Sequence, residues 1–440
     1  MPKILFIQPT QYGADGATLC KQKIIHLPGL AFALLAAYLP DHWQAELMLE
    51  VVDDIDFDRE VDIVAIGAMG HAIFRGFEIA DEFRRRGRTV IMGGYMVSIA
   101  AEVAAEHADA LVLGDAEKSF PRLLADFENG RLQPVYDDEI DSLDDLPVPR
   151  YELLTDKPIG NMLPVQAGRG CPHSCSFCSI ACIYRGRYLP RPLEDIVRDI
   201  EAVRALGFRR FYLIDDNLVA NPGFLEDLCD AITPLKMKWA TQCSVNLANH
   251  PRLLRKVVAS GAELMSFGLE SISQEGLDKL DKAWLRVEDH ERHIRTLSKA
   301  GIVVSSEMIV GTDGDTEESI RDTLKFVDRN RVPIPRFYIL TPIPGTDLYH
   351  EMKEQGRLVT DDWKLFDGTR CVHRPARIDP DRLTEMYWWL NEEVFSWRSI
   401  FRRVIGNRHL WRNPRMLAFS LVVNLHYRRY VRRRVPPNIF

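Results

Sequence analysis

A chain of 440 residues is too long for one ordinary core and suits two or three domains of roughly 100 to 200 residues each. With 46% hydrophobic and 27% charged residues it can bury enough apolar surface to fold, which excludes wholesale disorder. The net charge of -7 is unevenly spread: residues 398 to 440 hold eleven Arg and no Asp, Glu or Lys, leaving 45 basic against 63 acidic residues, a net of -18, for residues 1 to 397.

In chain order, KILFIQ (3 to 8), AELMLEV (45 to 51), VDIVAIG (61 to 67), TVIMGG (89 to 94) and ALVLG (110 to 114) are short apolar runs ending near Gly, as buried parallel strands do. Helical periods lie between them, the clearest carrying Ile73, Phe77, Ala80 and Phe83. Strand alternating with helix predicts a doubly wound, Rossmann-like α/β domain over residues 1 to 131. Residues 132 to 160, rich in Pro, Asp and Glu without helical period, read as a linker. A second alternating series follows: LPVQAG (163 to 168), FRRFYLIDD (208 to 216), KWATQCS (238 to 244), LMSFGLES (264 to 271), VVSSEMIVG (303 to 311) and RFYILTP (336 to 342). Six strand and helix units over residues 161 to 345 predict a partial (β/α)6 TIM-type barrel, with chemistry at the carboxyl ends of its strands. Residues 346 to 440 read as a mostly helical extension ending in a basic amphipathic tail. No apolar run reaches the roughly 18 residues of a spanning helix. The amino-terminal MPKILFIQPTQYG lacks a signal-peptide pattern, so a cytoplasmic protein is expected.

Three of the eight cysteines, Cys171, Cys175 and Cys178, stand in a C-x3-C-x2-C arrangement directly after the first strand of the second series. Three thiolates on one tight loop can hold three corners of a [4Fe-4S] cluster and leave one iron open. A structural zinc site normally has four protein ligands, so a zinc knuckle would need completion by His173 or Cys182. The spacing resembles the signature of the radical S-adenosylmethionine superfamily. In that family the methionyl amine and carboxylate chelate the open iron, and an electron from the cluster cleaves the sulfonium to give a 5′-deoxyadenosyl radical. The resemblance implies that Phe177 packs near the adenine. It further implies that Asp215 and Asp216 receive the S-adenosylmethionine amino group, that Glu270 meets its ribose and methionyl end, and that Gly311 and Thr341 mark the fifth- and sixth-strand motifs. No catalytic acid, base or hydrogen donor is assigned.

Cys20, Cys182, Cys229, Cys243 and Cys371 are expected to be buried small hydrophobes, with Cys182 the best exception because it lies just past the motif. The first domain resembles the cobalamin-binding domain that precedes the barrel in many superfamily members. The resemblance rests on Gly93, Gly94 and Tyr95 after the fourth strand and Gly114 after the fifth, where a planar corrin needs backbone without side chains in the way. After strand one the chain reads Gln8-Pro-Thr-Gln-Tyr-Gly13, with no D-x-H-x-x-G motif, so cobalamin is expected base-off without a protein histidine. His26 and His71 are read as surface or cap residues. Tyr387, Trp388, Trp389, Phe395 and Trp397 either pack against the barrel or line an apolar pocket.

Together these resemblances imply a cobalamin-dependent radical S-adenosylmethionine enzyme. Methyl transfer to an unactivated carbon is its most common activity, and a flavodoxin or ferredoxin is the expected electron donor. The predicted strand ends carry Asp, Glu, Ser, Thr and Pro rather than Arg or Lys, which favours an apolar substrate, a lipid or a tetrapyrrole. A non-methylating ring-forming or oxidative reaction and a non-catalytic corrinoid or metal carrier are the alternatives. The arginine-rich tail joined to Met416–Leu425 suggests a peripheral membrane surface as partner, with docking of the arginines on the acidic body as the competing reading; nucleic acid is not expected.

Overall fold

The computed structural model describes residues 1–13 and 16–437. The chain divides into two compact units: residues 1–165 with 194–208, and residues 166–193 with those from 209 onward.

The first unit holds β1 (Lys3–Gln8), β2 (Gln44–Leu49), β3 (Ile63–Gly67), β4 (Thr89–Gly93), β5 (Ala110–Val112) and β6 (Val135–Tyr136) in one parallel sheet, order β2-β1-β3-β4-β5-β6. Ile4, Leu5, Phe6 and Ile7 are all fully buried, so β1 is covered on both faces, as its unbroken apolar run requires. The direction of winding reverses between β1 and β3. That switch point opens a crevice at their carboxyl ends, where an open α/β sheet binds ligands. The stretch read as a linker contributes β6 and buries Tyr136, Ile140, Leu143, Leu146, Tyr151 and Leu154. Its apolar side chains are spaced among prolines and acids, so they lack a period but are still withdrawn from water.

The sequence-predicted strands of the second series appear as β7 (Leu163–Gln166), then, after a short antiparallel pair β8 (Gly168–Gly170) and β9 (Tyr188–Pro190), as β10 (Arg210–Ile214), β11 (Lys238–Cys243), β12 (Ala262–Glu270), β13 (Val303–Val310) and β14 (Ile334–Ile339). Strands β10 to β14 lie in sequential order and are parallel, which aligns their carboxyl ends along one edge. Between β12 and β13 the register shifts at Gly268/Glu270, and Glu270 takes a left-handed φ of 58°. A bulge next to a strand end re-aims the side chain there.

Residues after β14 pack onto this unit. Helix Asp347–Glu354 places Leu348 and Met352 in a cluster with Leu280 and Leu340, against which Phe177 packs. Helix Pro380–Val394 buries Tyr387 and Trp388, while Trp397 is exposed, so the aromatic stretch divides between core and surface. Helix Pro414–Val431 starts at Asn413, whose side chain accepts from the Met416 N–H. It is held by Arg403, a fully buried guanidinium that donates to the Val332, Pro333 and Val394 carbonyls, to Ser399 Oγ and to Asn424 Oδ1 at 2.7 to 3.1 Å. Arg428 donates to the Phe395 carbonyl and Arg434 pairs with Glu392. Part of the arginine tail is therefore built into the fold. No helix among the described residues is long and apolar enough to cross a membrane.

Candidate functional site

The residue after β7, Ala167, donates its N–H to the Ile214 carbonyl at the end of β10, which sets the following loop beside the Asp215–Asn217 turn. Cys171, Cys175 and Cys178 lie on that loop as free thiols, Cys175 buried and the other two half-buried. Burial pushes the Cys175 thiol up to about 11, opposed by the nearby Lys282 ammonium. Burial also raises Cys178, partly offset by the N–H groups of Ala181 and Ile180. Thiols in such a place ionise only beside a cation, and an iron centre supplies one. Asn217 adds a donor, its Nδ2 lying 3.6 Å from Cys171 Sγ. Among the described residues no three ligating side chains are grouped as for a single metal ion. In a four-iron cluster each thiolate binds a different iron, so its ligands stand wider apart. The donor set fits a cluster of that kind.

The neighbouring groups fit a ligand carrying an ammonium. Asn217 Oδ1 is buried with no hydrogen-bond partner among the described residues, and Ser176 Oγ is likewise. Beside it the buried Asp215 accepts from Tyr188 Oη at 2.9 Å and from the Asn217 N–H at 2.8 Å. Burial pushes the Asp215 carboxyl up to about 7 despite those two donors. Asp216 has a different role: its Oδ2 accepts the Gly170 N–H at 2.7 Å and fixes the entry to the cysteine loop.

Glu270 is met by a residue that no sequence pattern marks. Lys282 Nζ sits 2.6 Å from Glu270 Oε1 and 3.0 Å from the Gly268 carbonyl, with both side chains largely buried. A Cβ on Gly268 would stand 2.3 Å from Glu270 Oε1, so only glycine lets this pair lie against the strand. Lys282 also lies 5.4 Å from the Trp284 ring centroid, and His173 stacks on that ring at 4.0 Å. Lys282 thus brings a cation to the strand ends, where the sequence shows none, and Glu270 neutralises it.

Gly311 and Thr341 stand at the ends of β13 and β14, and Thr341 Oγ1 donates to the Ile339 carbonyl at 3.1 Å. The loop from Gly311 to Glu317 is clamped by later residues. His373 Nε2 donates to the Gly311 carbonyl at 2.9 Å, the Ala376 N–H and Arg357 reach Asp313, and Arg382 Nε donates to Glu317 at 2.8 Å. Leu348 N–H donates to the Ser176 carbonyl at 3.0 Å, and Cys182 Sγ lies 2.9 Å from the Gly345 carbonyl, tying the same late segment to the cysteine loop. Cys182 is half-buried and so is Cys20, whereas Cys229, Cys243 and Cys371 are buried.

In the first unit, Met69 follows β3 at the switch-point crevice and is 76% exposed. Gly94, also exposed, has φ 99°, a conformation other residues rarely adopt, and leaves backbone uncovered at the end of β4. Gly93 abuts the Val112 carbonyl, where a Cβ would stand at 3.2 Å, so sheet packing also calls for glycine there. Gly114 donates its N–H to Ser98 Oγ, and Tyr95 opens the short helix Tyr95–Ile99. His71 is the N-cap of helix Ala72–Arg85. An apolar and backbone-lined edge of this kind fits a planar macrocycle.

An α/β chain with a triple-cysteine loop at the carboxyl edge of a parallel sheet defines a class, and comparison with known proteins gives the family. The family model described as the radical SAM superfamily matches residues 165–327. Bacteriochlorophyllide d C-8(2)-methyltransferase of Chlorobaculum tepidum is 30% identical over 421 residues, 91% of each chain. Hopanoid C-2 methylase of Rhodopseudomonas palustris is 27% identical over 76% of this chain and 66% of its own. Among solved structures, the cobalamin-dependent S-adenosylmethionine radical enzyme OxsB, with aqua-cobalamin and S-adenosylmethionine bound, superposes with a TM-score of 0.71 at 15% identity, over 96% of this chain and 72% of its own. The chain belongs to the radical S-adenosylmethionine superfamily.

Proposed function

We propose that the chain is a cobalamin-dependent radical S-adenosylmethionine methyltransferase acting on an unactivated carbon of a tetrapyrrole or polycyclic isoprenoid lipid. The observation that carries this reading is the placement of Asn217, which donates to Cys171 Sγ and leaves a buried, unpartnered Oδ1 beside Asp215. When bound, the cluster supplies the electron that cleaves S-adenosylmethionine, and cobalamin carries the methyl group. Cys171, Cys175 and Cys178 hold the cluster, and Asn217 Oδ1 with ionised Asp215 accepts the methionyl ammonium. Phe177, seated against Leu280, Leu340, Leu348 and Met352, excludes water from the cysteine loop. Gly93, Gly94, Tyr95 and Gly114 border the corrin.

The names of the two relatives, one acting on a bacteriochlorophyllide and one on a hopanoid, support an apolar substrate. So does the neutralisation of Lys282 by Glu270, since a phosphorylated substrate would need free cations converging on the site. A flavodoxin or ferredoxin delivers the electron. An apolar substrate dissolved in a bilayer is reached most readily from its surface, and we place the enzyme there, peripherally, on the inner face of the membrane.

The test is anaerobic reconstitution with iron, sulfide and hydroxocobalamin, then incubation with S-adenosylmethionine, dithionite and either tetrapyrrole or hopanoid extracts. Cluster absorbance, retained corrinoid, 5′-deoxyadenosine and a product heavier by one CH2 unit are expected. A product of any other mass change would move the assignment to ring formation or oxidation. Strong turnover of a phosphonate or sugar phosphate with none on either extract would refute the substrate class.

A further inference from the structure

The outward side of the carboxyl-terminal helices reverses the usual rule for a surface helix. Helix Pro414–Val431 buries Met416, Ser420, Val423, Asn424, Tyr427 and Val431. Its opposite stripe, at three- and four-residue spacing, runs Arg415, Ala418, Val422, Leu425 and Arg429, all exposed. An ordinary amphipathic helix is polar on that side. Here the middle is apolar, with Val422 63% and Leu425 41% exposed, and only the ends are charged.

Exposed aromatic side chains stand on the segments next to this helix. Trp397 and Phe401, one turn apart, are 63% and 66% exposed, and Trp411 is 56% exposed. The Arg428 guanidinium lies 5.3 Å from the Trp397 ring centroid, which ties that ring to the last helix. The Trp411 indole N–H already donates to the Ile405 carbonyl at 2.8 Å, so its ring can leave water without stranding a donor. Among the described residues no carboxylate pairs with Arg398, Arg415, Arg429 or Arg433. Beside Arg398 and Arg402 a groove of about 440 Å3 is lined by Lys325 and Arg329 as well, against the carboxylates of Asp328 and Glu393.

We propose that this face, centred on Trp397, Phe401, Val422 and Leu425 and rimmed by Arg415, Arg429 and Arg433, docks on an anionic phospholipid bilayer. The partner follows from the charge: the exposed Arg398, Arg415, Arg429 and Arg433, in a terminal stretch of 43 positions that holds no acidic residue, favour a negative surface, while large apolar side chains at the centre need an apolar one. A bilayer interface offers both, its acyl boundary taking the rings and its headgroup phosphates the guanidinium groups. The inference rests on the peripheral placement proposed above and supplies its contact residues.

Flotation of the full chain with vesicles of phosphatidylcholine, with and without phosphatidylglycerol, tests it. The wild-type chain should float with phosphatidylglycerol vesicles at 0.1 M salt and much less at 1 M, as the Debye length falls from about 10 Å to about 3 Å. The triple variant Trp397→Ser, Phe401→Ser, Val422→Ser should bind roughly tenfold or more weakly, and Arg415→Gln, Arg429→Gln, Arg433→Gln should lose the salt-sensitive part. These positions are exposed, so circular dichroism and lipid-free formation of 5′-deoxyadenosine should match the wild type. A wild-type chain that never floats overturns the peripheral placement itself. Wild type and variants floating equally overturn this face alone. A dimer in the absence of vesicles that the triple variant dissociates would assign the face to a second copy.

Discussion

Asp215 and Lys282 show how one buried charge depends on its neighbours. The Asp215 carboxyl, pushed up to about 7 by burial, titrates near 3.9 in an unfolded chain. Its folded value is the higher one, so its contribution to stability is complete below pH 4 and is lost as the pH rises from about 4 to about 7. Asp215→Asn should remove that loss: urea unfolding of the apoprotein at pH 8 should show the variant more stable than the wild type, by at most about 4 kcal/mol, with the difference vanishing near pH 4. An equal difference at both pH values would contradict the assignment. Lys282→Met leaves the Glu270 carboxylate buried without its cation and should cost about 3 to 5 kcal/mol, and Glu270→Gln added to it should recover part of the loss. Neither residue's partner was legible in the sequence. Tyr188 reaches Asp215 across 27 residues and Lys282 reaches Glu270 across 12, around a strand end, separations that no local period spans.

At the scale of elements, the strands were legible because a parallel strand covered on both faces is an unbroken apolar run, as in Ile4–Ile7 and Ile63–Ile66. Strand β6 was not, being two residues between Pro134 and an acidic stretch, and neither was the β8/β9 pair, three residues each with no alternation. The cysteine loop was legible from spacing alone, whereas the bulge at Gly268/Glu270 that aims Glu270 leaves no mark in composition. The last helix was read from its arginines. What holds it is a different set: Arg403, bonded to three carbonyls, Ser399 and Asn424. Replacing Arg403 by Met should strand those acceptors, take from Asp328 one of its two nearby cations and lower stability by about 3 to 5 kcal/mol, and Arg403→Lys should restore little because an ammonium cannot reproduce the planar fork. For the same reason a chain ending at Asn413 should unfold at lower denaturant than the full chain, since it loses Asn424, Tyr427 and Arg428. Chemical denaturation of each variant checks both expectations.

At the scale of the whole molecule, the strand ends proposed to border the corrin and the loop proposed to hold the cluster belong to separate sheets, so their loading should be separable. Gly94→Val, which forces a branched side chain onto φ 99°, should abolish retained corrinoid and leave cluster absorbance intact. The triple Cys171→Ala, Cys175→Ala, Cys178→Ala variant should do the reverse and form no 5′-deoxyadenosine. Loss of both groups in either variant would show that one site supports the other. The tie between Leu348 and Ser176, with Phe177 seated against Leu348 and Met352, has a consequence in time. The residues that close the cysteine loop are synthesised about 170 positions after it, on the order of 10 to 40 s later at roughly 5 to 20 residues per second. Throughout that interval the cysteine loop of a nascent chain lacks this cover and is open to iron delivery and equally to oxidation. Ribosome-bound chains stalled before residue 340 should therefore be alkylated at Cys175 as readily as at Cys171, while the finished apoprotein shields Cys175, and cells short of iron should accumulate chains damaged at this loop before translation ends.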